Sequence, residues 1–397
     1  MEIRPPEIPQ RLSYNPTGYP SSFCVYNPNS IPPWKANTMS SSRREFLTTL
    51  SSAVALGMAR PGFSSSAMNS GCSSEANSSR PLGVAVVGLG ARSLGGILPA
   101  LARSKYCKLA ALVSGDMSKA RHVSRDWDLD SSHVYDYRSF DAIACDDTVD
   151  IVYIALPNRL HCEFTQRAAE AGKHVFCERP MATTVSECNA MMDACDRREV
   201  QLGVGYQRGI YSIPPSRLAN HGSGPVESIR SIHAGWGVSV GDVANWHVRS
   251  ELSGGGALMH AGVELIRAIR TLIGQEPIAV MAQETKTDAT RFADVDESVT
   301  WSLQFDSGAQ ATGAVSLNRA GLNAIRVETD RRSIDIRNPF GDSNPGSSTA
   351  CTPIESFAES IATGCATPYT AAQGLNDLLL VEAIYRSIRE GVPVDLI

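Results

Sequence analysis

The feature that most constrains this chain is a run of β-branched residues that ends in two closely spaced glycines. Residues 82–96 read Leu-Gly-Val-Ala-Val-Val-Gly-Leu-Gly-Ala-Arg-Ser-Leu-Gly-Gly, and a helical pattern follows. Gly88 permits a tight turn from strand to helix, and Gly90 lets a diphosphate approach the backbone at the helix N-terminus. The pattern therefore predicts a dinucleotide-binding turn, although a serine stands at its usual third glycine. The other residues of this predicted turn are Ala91, Arg92 and Ser93.

Composition and charge exclude several classes of protein. The chain has 397 residues, 43% of them hydrophobic, which is enough for two domains with substantial cores. Its net charge is −5 and no basic block follows the N-terminal region, so we expect no nucleic-acid partner. No apolar run reaches the roughly 18 residues that span a bilayer, so we expect no stable membrane insertion. The ten cysteines form no Cys-x-x-Cys pair, and no metal site is predicted.

The N-terminal region reads as a leader. Residues 1–38 are rich in Pro, Asn and Ser without periodicity, which is typical of disorder. Residues 42–47, Ser-Arg-Arg-Glu-Phe-Leu, and the mildly apolar stretch after them resemble a twin-arginine export signal, with a cleavage site at 65–67. Because such a leader starts near Met39, we expect residues 1–38 to be an upstream extension. Residues 1–80 are thus predicted as extension, signal and Ser-rich linker of a periplasmic or exported protein. A chance Arg-Arg pair would instead leave the protein in the cytoplasm.

Hydrophobic periodicity divides the rest into two domains. Over residues 81–205 short apolar strands alternate with helices, which predicts an α/β Rossmann domain with a doubly wound parallel sheet. Over residues 206–397 longer strands alternate polar and apolar residues, which predicts an α+β domain with a largely antiparallel open sheet. The final helix, Asn376–Arg389, is expected to be able to pack on the Rossmann domain. The strands predicted for the second domain are Pro225–His233, Glu276–Gln283, Ser298–Phe305, Ala309–Val315, Gly321–Thr329 and Ser333–Arg337.

The end of the second strand bears on the choice of dinucleotide. Enzymes that use NAD usually have a carboxylate there, bonded to the ribose 2′-hydroxyl. This chain has Ser114 and a glycine instead, with Lys119 one helical turn further on. A hydroxyl and an amine suit a 2′-phosphate, which predicts NADP. Asp116 lies nearby, so NAD stays a second possibility. The alternative for Lys119 is an ordinary position on a solvated helix face.

A second polar segment follows a buried-looking strand. It reads Leu156-Pro157-Asn158-Arg-Leu-His161 and falls at a carboxyl strand end, where ligands of doubly wound sheets bind. We expect Leu156 and Pro157 to line the cofactor site and Asn158 and His161 to face its nicotinamide. An ordinary surface histidine is the alternative for His161.

The next strand ends in Cys-Glu-Arg-Pro-Met at 177–181, and with this motif the chain resembles the Gfo/Idh/MocA oxidoreductases. The resemblance runs from about Leu82 to the end and is greatest to the periplasmic glucose–fructose oxidoreductases. The matching segments include Val-Val-Gly-Leu-Gly at 86–90, Ile-Leu-Pro-Ala at 97–100, Leu-Val-Ser-Gly at 112–115, Tyr-Asp-Tyr at 135–137, Leu-Pro-Asn at 156–158, Ala-Gly-Lys-His-Val at 171–175, Gly-Gly-Gly at 254–256 and Ala-Ile-Tyr at 383–385.

The resemblance implies a nicotinamide cofactor beside a sugar or polyol, with hydride transfer at a CH–OH carbon. In the family a Lys of a Glu-Lys-Pro motif handles the proton, assisted by an Asp and by a His or Tyr. These positions are Arg179, His260 and Glu264 here. An arginine cannot release its proton near neutral pH. One hypothesis makes Arg179 an electrostatic clamp and His260 the acid/base, oriented by Glu264; the other is a binding or sensor module without efficient turnover.

The resemblance also implies further contacts and an assembly. Glu178 is expected at the nicotinamide ribose and Tyr137 near the cofactor. Tyr206, Trp246 and Arg249 are expected, with His260, at the substrate; the alternatives are core packing for Trp246 and a surface ion pair for Arg249. By family analogy, the open face of the antiparallel sheet is expected to build a homodimer or homotetramer.

Overall fold

The structure is a computed structural model, and it describes residues 80–206, 228–240, 245–340, 353–365, 367 and 369–396. The predicted extension, signal and linker lie outside the described residues, except for Arg80. The first three residues of the predicted strand Pro225–His233 also lie outside them. No helix among the described residues combines the length and apolarity needed to cross a membrane.

Six parallel strands form the first sheet, in the order β3-β2-β1-β4-β5-β6. Its β-branched strands are buried on both faces, as in β4, where all four residues are buried, because helices cover both sides. This arrangement confirms the predicted α/β Rossmann fold. The strands are β1 (Leu82–Val87), β2 (Cys107–Val113), β3 (Val134–Tyr135), β4 (Ile151–Ile154), β5 (His174–Glu178) and β6 (Leu202–Gly205). The helices between them are α1 (Leu98–Arg103), α2 (Met117–Asp126), α3 (His161–Glu170) and α4 (Val185–Arg197).

Seven strands form the second sheet, in the order β12-β11-β7-β10-β9-β8-β13. Its neighbours pair antiparallel, apart from the parallel pair of β7 and β10. The predicted largely antiparallel sheet is therefore confirmed. The strands are β7 (Ile229–Gly237), β8 (Pro277–Thr285), β9 (Ser298–Phe305), β10 (Gln310–Ser316), β11 (Asn323–Thr329), β12 (Ser333–Arg337) and β13 (Val394–Asp395).

The two faces of this sheet differ in polarity. In β9 the buried residues Val299, Trp301 and Leu303 alternate with the exposed residues Thr300 and Ser302. Helices pack on the apolar face, and the opposite face is polar. The helices after β7 are α5 (Ser250–Ser253), α6 (Val263–Ile273), α7 (Pro353–Thr363) and α8 (Ala371–Glu390).

The last two helices pack on the first sheet as well. Phe357 of α7 is fully buried, and its ring centroid lies 5.1 Å from that of Phe176 in β5. In α8, Glu382 accepts a hydrogen bond of 2.9 Å from the backbone N–H of Val185. The chain after residue 353 thus connects the two sheets and fixes the position of one against the other.

Candidate active site

The glycine turn after β1 has the geometry that a dinucleotide diphosphate requires. Gly88 has a φ of 91°, and a Cβ there would lie 2.5 Å from the carbonyl oxygen of Ala155, so no other residue fits without displacing backbone. Gly90 is exposed, and no atom lies within 4 Å of its hypothetical Cβ. The hydroxyl of Ser93 donates a 2.5 Å hydrogen bond to the Gly88 carbonyl and closes the turn. The exposed Ala91 begins a helical segment that continues through Ser93–Ile97 into α1, and the first N–H groups of such a segment have no partner within it.

An ion pair connects this turn to the end of β5. The Nε of Arg92 lies 2.9 Å from Oε1 of Glu178, and the hydroxyl of Tyr153 donates to the same oxygen at 2.7 Å. Burial acts to raise the pKa of Glu178, but the guanidinium of Arg92 and these hydrogen bonds outweigh it and lower the pKa. Glu178 is therefore ionised, and one of its oxygens is held at the carboxyl edge of the sheet where the predicted ribose contact would lie.

The residues after β2 comprise a helix cap and an exposed lysine. The carboxylate of Asp116 caps α2 by accepting a 3.0 Å hydrogen bond from the Lys119 N–H. The hydroxyl of Ser114 accepts the Asp116 N–H at 3.1 Å and keeps its own proton for donation. The Lys119 side chain is exposed, and the ring of Tyr137 lies against Gly115, where a Cβ would be 2.9 Å from it. Asp116 is thus a helix cap, with the exposed amine of Lys119 and the buried hydroxyl of Ser114 beside it.

The segment after β4 is structural where the sequence predicted nicotinamide contacts. His161 is fully buried, and its ring nitrogens lie 2.8 Å from the Pro180 carbonyl and 2.9 Å from the Leu156 carbonyl. Since both nitrogens are occupied by backbone, the prediction that His161 faces the cofactor is wrong. Asn158 is also buried, and its amide donates to the Ser253 carbonyl at 2.8 Å. Asn158 thus joins the Rossmann sheet to α5 instead of facing a ligand.

Pro157 and Leu156 stay near the glycine turn. A Cβ at Gly88 would lie 2.9 Å from Cδ2 of Leu156, so this buried side chain is part of the turn's floor. Pro157 is partly exposed and precedes the short helical turn Asn158–Leu160. These two positions agree with a cofactor-lining role, which stays a prediction.

Arg179 comes directly after β5 and is held by the second domain. Its Nε lies 3.0 Å from Oε2 of Glu264, which is completely buried, while the Arg179 side chain is 11% exposed. Its Nη1 donates to the backbone carbonyl of His260, and its guanidinium carbon lies 5.5 Å from the ring centroid of Trp236. The guanidinium is therefore fixed and charge-compensated. Glu264 pairs with Arg179, which in turn bonds the backbone of His260; that Glu264 orients the His260 ring stays a prediction.

Two imidazoles meet beside this ion pair. The ring centroids of His247 and His260 are 4.3 Å apart in an edge-to-face contact, and Trp246 stacks on His247 at 3.7 Å. Burial and the nearby Arg179 charge lower the pKa of His247 to about 4. Burial, Arg179 and His247 place the pKa of His260 well below its usual value. Both rings are therefore neutral at neutral pH. We call Arg179, Trp246, His247 and His260 the histidine cluster.

A buried carboxylate fixes the glycine loop that leads to His260. Asp296 accepts the N–H groups of Gly256 at 2.7 Å and Leu258 at 2.8 Å, and the hydroxyl of Tyr385 at 2.7 Å. A Cβ at Gly256 would lie 1.9 Å from the Asp296 carbonyl oxygen, which explains a glycine there. Asp296 and His247 were not predicted as site residues from the sequence. The sequence feature that could have indicated His247 is the Trp-His pair at 246–247, which precedes the three glycines at 254–256.

Two of the predicted substrate contacts have protein partners of their own. Tyr206 is 2% exposed, with the guanidinium of Arg267 over its ring at 5.4 Å. Burial and the neighbouring Asp377 raise the pKa of Tyr206 well above its usual value. Arg249 is exposed and pairs with Glu251 at 2.7 Å. Tyr206 is thus packed in the core and Arg249 forms a surface ion pair, as the alternative for Arg249 predicted; their contact with a substrate stays a prediction.

Two consecutive segments of the chain match known family models. Residues 82–206 match the oxidoreductase family with an NAD-binding Rossmann fold, and residues 217–335 match the GFO/IDH/MocA C-terminal domain. The chain belongs to the Gfo/Idh/MocA oxidoreductase family. The resemblance that the sequence motifs indicated is therefore confirmed.

Relatives of known structure and sequence cover most of the chain. The structure of aldose-aldose oxidoreductase from Caulobacter crescentus, complexed with glycerol, is 35% identical with a TM-score of 0.73, covering 80% of this chain and 100% of its own. D-xylose 1-dehydrogenase (NADP(+)) 2 of Haloferax volcanii is 27% identical over 78% of this chain and 97% of its own length. Levoglucosan dehydrogenase in complex with NADH and L-sorbose is 21% identical with a TM-score of 0.66, covers 80% of this chain and 99% of its own, and shares the fold.

Proposed function

We propose that this protein is an NAD(P)-dependent oxidoreductase that acts on a CH–OH carbon of a sugar or polyol. The observation that carries the proposal is the position of the histidine cluster. Arg179 directly follows β5 at the carboxyl edge of the Rossmann sheet, the same edge as the Gly88 turn. Ligands of such sheets bind along this edge. Relatives whose names state an activity on sugars, such as D-xylose 1-dehydrogenase, support the substrate class.

The residues present fit a dinucleotide. The Gly88–Ser93 turn would hold the diphosphate. Ser114 and Lys119 would contact the adenosine ribose, and Glu178 would contact the nicotinamide ribose. A bound nicotinamide would supply a two-electron hydride acceptor or donor. The protein has to orient the sugar and to move one proton at the reacting oxygen.

Proton transfer falls to imidazole in this proposal. Arg179 is bonded to Glu264 and to a backbone carbonyl, so it contributes a fixed positive charge near the developing oxyanion. His247 and His260 are neutral and have the chemistry to accept a proton. The alternative, a binding module without turnover, is not favoured, because the relatives with stated activities include sugar dehydrogenases.

NADP is the proposed cofactor, with NAD as the second possibility. The sequence left Asp116 as an argument for NAD, but its carboxylate caps α2. A capped carboxylate has less freedom to accept a ribose hydroxyl, and Lys119 beside it offers a charge partner for a 2′-phosphate. Two D-xylose dehydrogenases among the relatives carry NADP(+) in their names.

Assembly and export complete the proposal. The polar outer face of the second sheet, with Thr300, Ser302 and Thr312 exposed, is the surface through which we propose a homodimer or homotetramer.

The Arg-Arg pair of residues 43–44 is proposed to direct export to the periplasm. Replacing both arginines by lysine is expected to keep the full chain in the cytoplasmic fraction.

The test is sugar-dependent reduction of the cofactor. Full-length protein is incubated with NADP⁺ or NAD⁺ and with D-xylose, D-glucose or levoglucosan, and the near-ultraviolet absorbance of reduced nicotinamide is followed. We expect reduction with at least one sugar, and faster reduction with NADP⁺. The binding module would be supported instead if the nucleotide binds but no sugar is oxidised and D-fructose is not reduced by the reduced cofactor.

A further inference from the structure

The hydrogen bonds of Asn245 fix the proton on the ring of His247. The Oδ1 of Asn245 accepts the backbone N–H of His247 at 3.2 Å. Because a backbone amide can only donate, this atom is the oxygen of the Asn245 side chain and not its nitrogen. The same oxygen lies 2.6 Å from Nδ1 of His247, so Nδ1 carries the hydrogen. In the neutral ring, Nε2 is then a lone pair ready to accept a proton.

The surroundings keep that ring in one orientation. Trp246 stacks on one face with an interplanar angle of 27°, and His260 meets the ring edge-to-face. Among the described residues, the charge of Arg179 disfavours the protonated form of His247, and the titratable ring of His260 lies against it. His247 is therefore an oriented, neutral base with a defined acceptor atom.

His260 lacks this orientation. Among the described residues, its contacts are through the backbone, to Gly256 and Arg179, and through the edge-to-face ring contact with His247. An acid/base group is effective when a third group orients it, as Asn245 orients His247. Of the two imidazoles, the geometry favours His247 for proton transfer.

We propose that His247, positioned by Asn245, is the residue that accepts the hydroxyl proton of the sugar, while His260 contacts the substrate. This inference rests on the proposed function. In the oxidation direction the substrate C–H bond breaks and its electron pair leaves as hydride to the oxidised nicotinamide. The O–H bond breaks and its proton goes to Nε2 of His247, which leaves a C=O bond. The sugar is oxidised by two electrons and the nicotinamide is reduced by two.

The first test compares His247→Asn with His122→Asn in the full chain. An asparagine amide can keep the bond to Asn245 but cannot take up a proton. His122 is an exposed residue of α2 and serves as the matched control. We expect His247→Asn to lower kcat for the sugar that supports turnover by about 100-fold or more, with an unchanged NADP⁺ dissociation constant by calorimetry. His122→Asn should leave kcat unchanged.

The second test uses a substitution at Asn245 to shift the pH profile of kcat. A carboxylate at this position stabilises the protonated ring, so Asn245→Asp should shift the acidic limb of the kcat profile to higher pH. A purely structural role of Asn245 would lower activity at all pH values without moving the limb.

A third readout needs no turnover. In the ¹⁵N NMR spectrum of histidine-labelled full chain, His247 should be the neutral tautomer protonated at Nδ1, and D-xylose in excess should shift its Nε2 resonance. A ring protonated at Nε2, or an unchanged kcat in His247→Asn, overturns the assignment to His247. Absence of sugar oxidation by the unmodified chain overturns the proposed function, so the two failures are distinguishable.

Discussion

The Nε of Arg179 lies 3.0 Å from Oε2 of Glu264, and this buried pair joins the Rossmann domain to the second domain. The resemblance implies a lysine at the first position and a histidine or tyrosine at the second. The two replacements are therefore a single change in electrostatics: a permanently charged guanidinium with its own buried counterion. A fixed charge stands where the resemblance implies a proton carrier, and in the proposed function the proton chemistry falls to the neighbouring imidazoles.

The first prediction concerns the stability that depends on this pair. Glu264→Gln leaves the Arg179 guanidinium without its charged partner in a buried site. We expect the free energy of unfolding to fall by about 3 kcal/mol, because an uncompensated buried charge is costly. Urea unfolding of the full chain measures the change. The double variant Arg179→Met with Glu264→Leu should recover most of the loss; if it is less stable than Glu264→Gln, the pair is not the cause.

The second prediction separates His260 from His247. His260→Ala should raise KM for the sugar by about tenfold, because it removes a substrate contact, a loss of about 1.4 kcal/mol. The acidic limb of the kcat profile should keep its position, since the proton acceptor is intact. Steady-state kinetics across pH provide both quantities. A lost limb in His260→Ala would assign the proton to His260 instead.

The third prediction concerns the cofactor phosphate. Lys119→Ala should weaken NADP⁺ binding by about tenfold, the scale of one charge-assisted contact, and leave NAD⁺ binding nearly unchanged. Arg121→Ala is the matched control, because this exposed residue is two positions further on the same helix and faces another direction. Calorimetric titration of the full chain with each nucleotide measures both affinities. Equal losses for both nucleotides would contradict the NADP assignment.

The fourth prediction is a pH dependence of stability at Asp146. Burial acts to raise the pKa of Asp146, but hydrogen bonds from Thr148, His133 and Tyr135 outweigh it and lower the pKa to about 2. A lowered folded-state pKa adds stability that is present above about pH 4 and is lost as the pH falls towards 2. Asp146→Asn should therefore cost about 2 kcal/mol at pH 7 and much less near pH 2. Denaturant unfolding at several pH values, with exposed Asp147→Asn as control, tests this; a pH-independent difference contradicts it.

The fold could largely be predicted from the sequence because periodicity reports burial. Short apolar runs predicted the parallel strands. The alternation of polar and apolar residues in Ser298–Phe305 predicted an antiparallel strand with the observed bounds. The final helix begins at Ala371, five residues before its predicted start. Gly374 lies inside it, where a Cβ would be 3.0 Å from Sδ of Met181. Close packing on the Rossmann domain, which no local pattern shows, explains a glycine within this helix.

The site was predicted less well, because a side chain's partner decides its role. Arg179, His260 and Glu264 do come together, but which of them pair follows from tertiary geometry. His161 and Tyr206 have the residue types of ligand contacts, yet both are buried against protein groups. His247 was adjacent in sequence to the predicted Trp246. Its bond to Asn245 and its ring contacts with Trp246 and His260, which only the tertiary structure shows, distinguish it from an ordinary surface histidine.

The proposed function requires a dinucleotide to bind at the glycine turn, and Gly90→Asp tests this most directly. No atom lies within 4 Å of a Cβ at Gly90, so the variant should fold normally while placing a carboxylate where the diphosphate would bind. Calorimetry of the full chain with NADP⁺ and NADPH is the measurement, with Gly90→Ala for comparison. We predict binding to the unmodified chain, weaker binding to Gly90→Ala and none to Gly90→Asp. Undiminished binding to a folded Gly90→Asp, or no binding of any pyridine dinucleotide to the unmodified chain, would contradict the account.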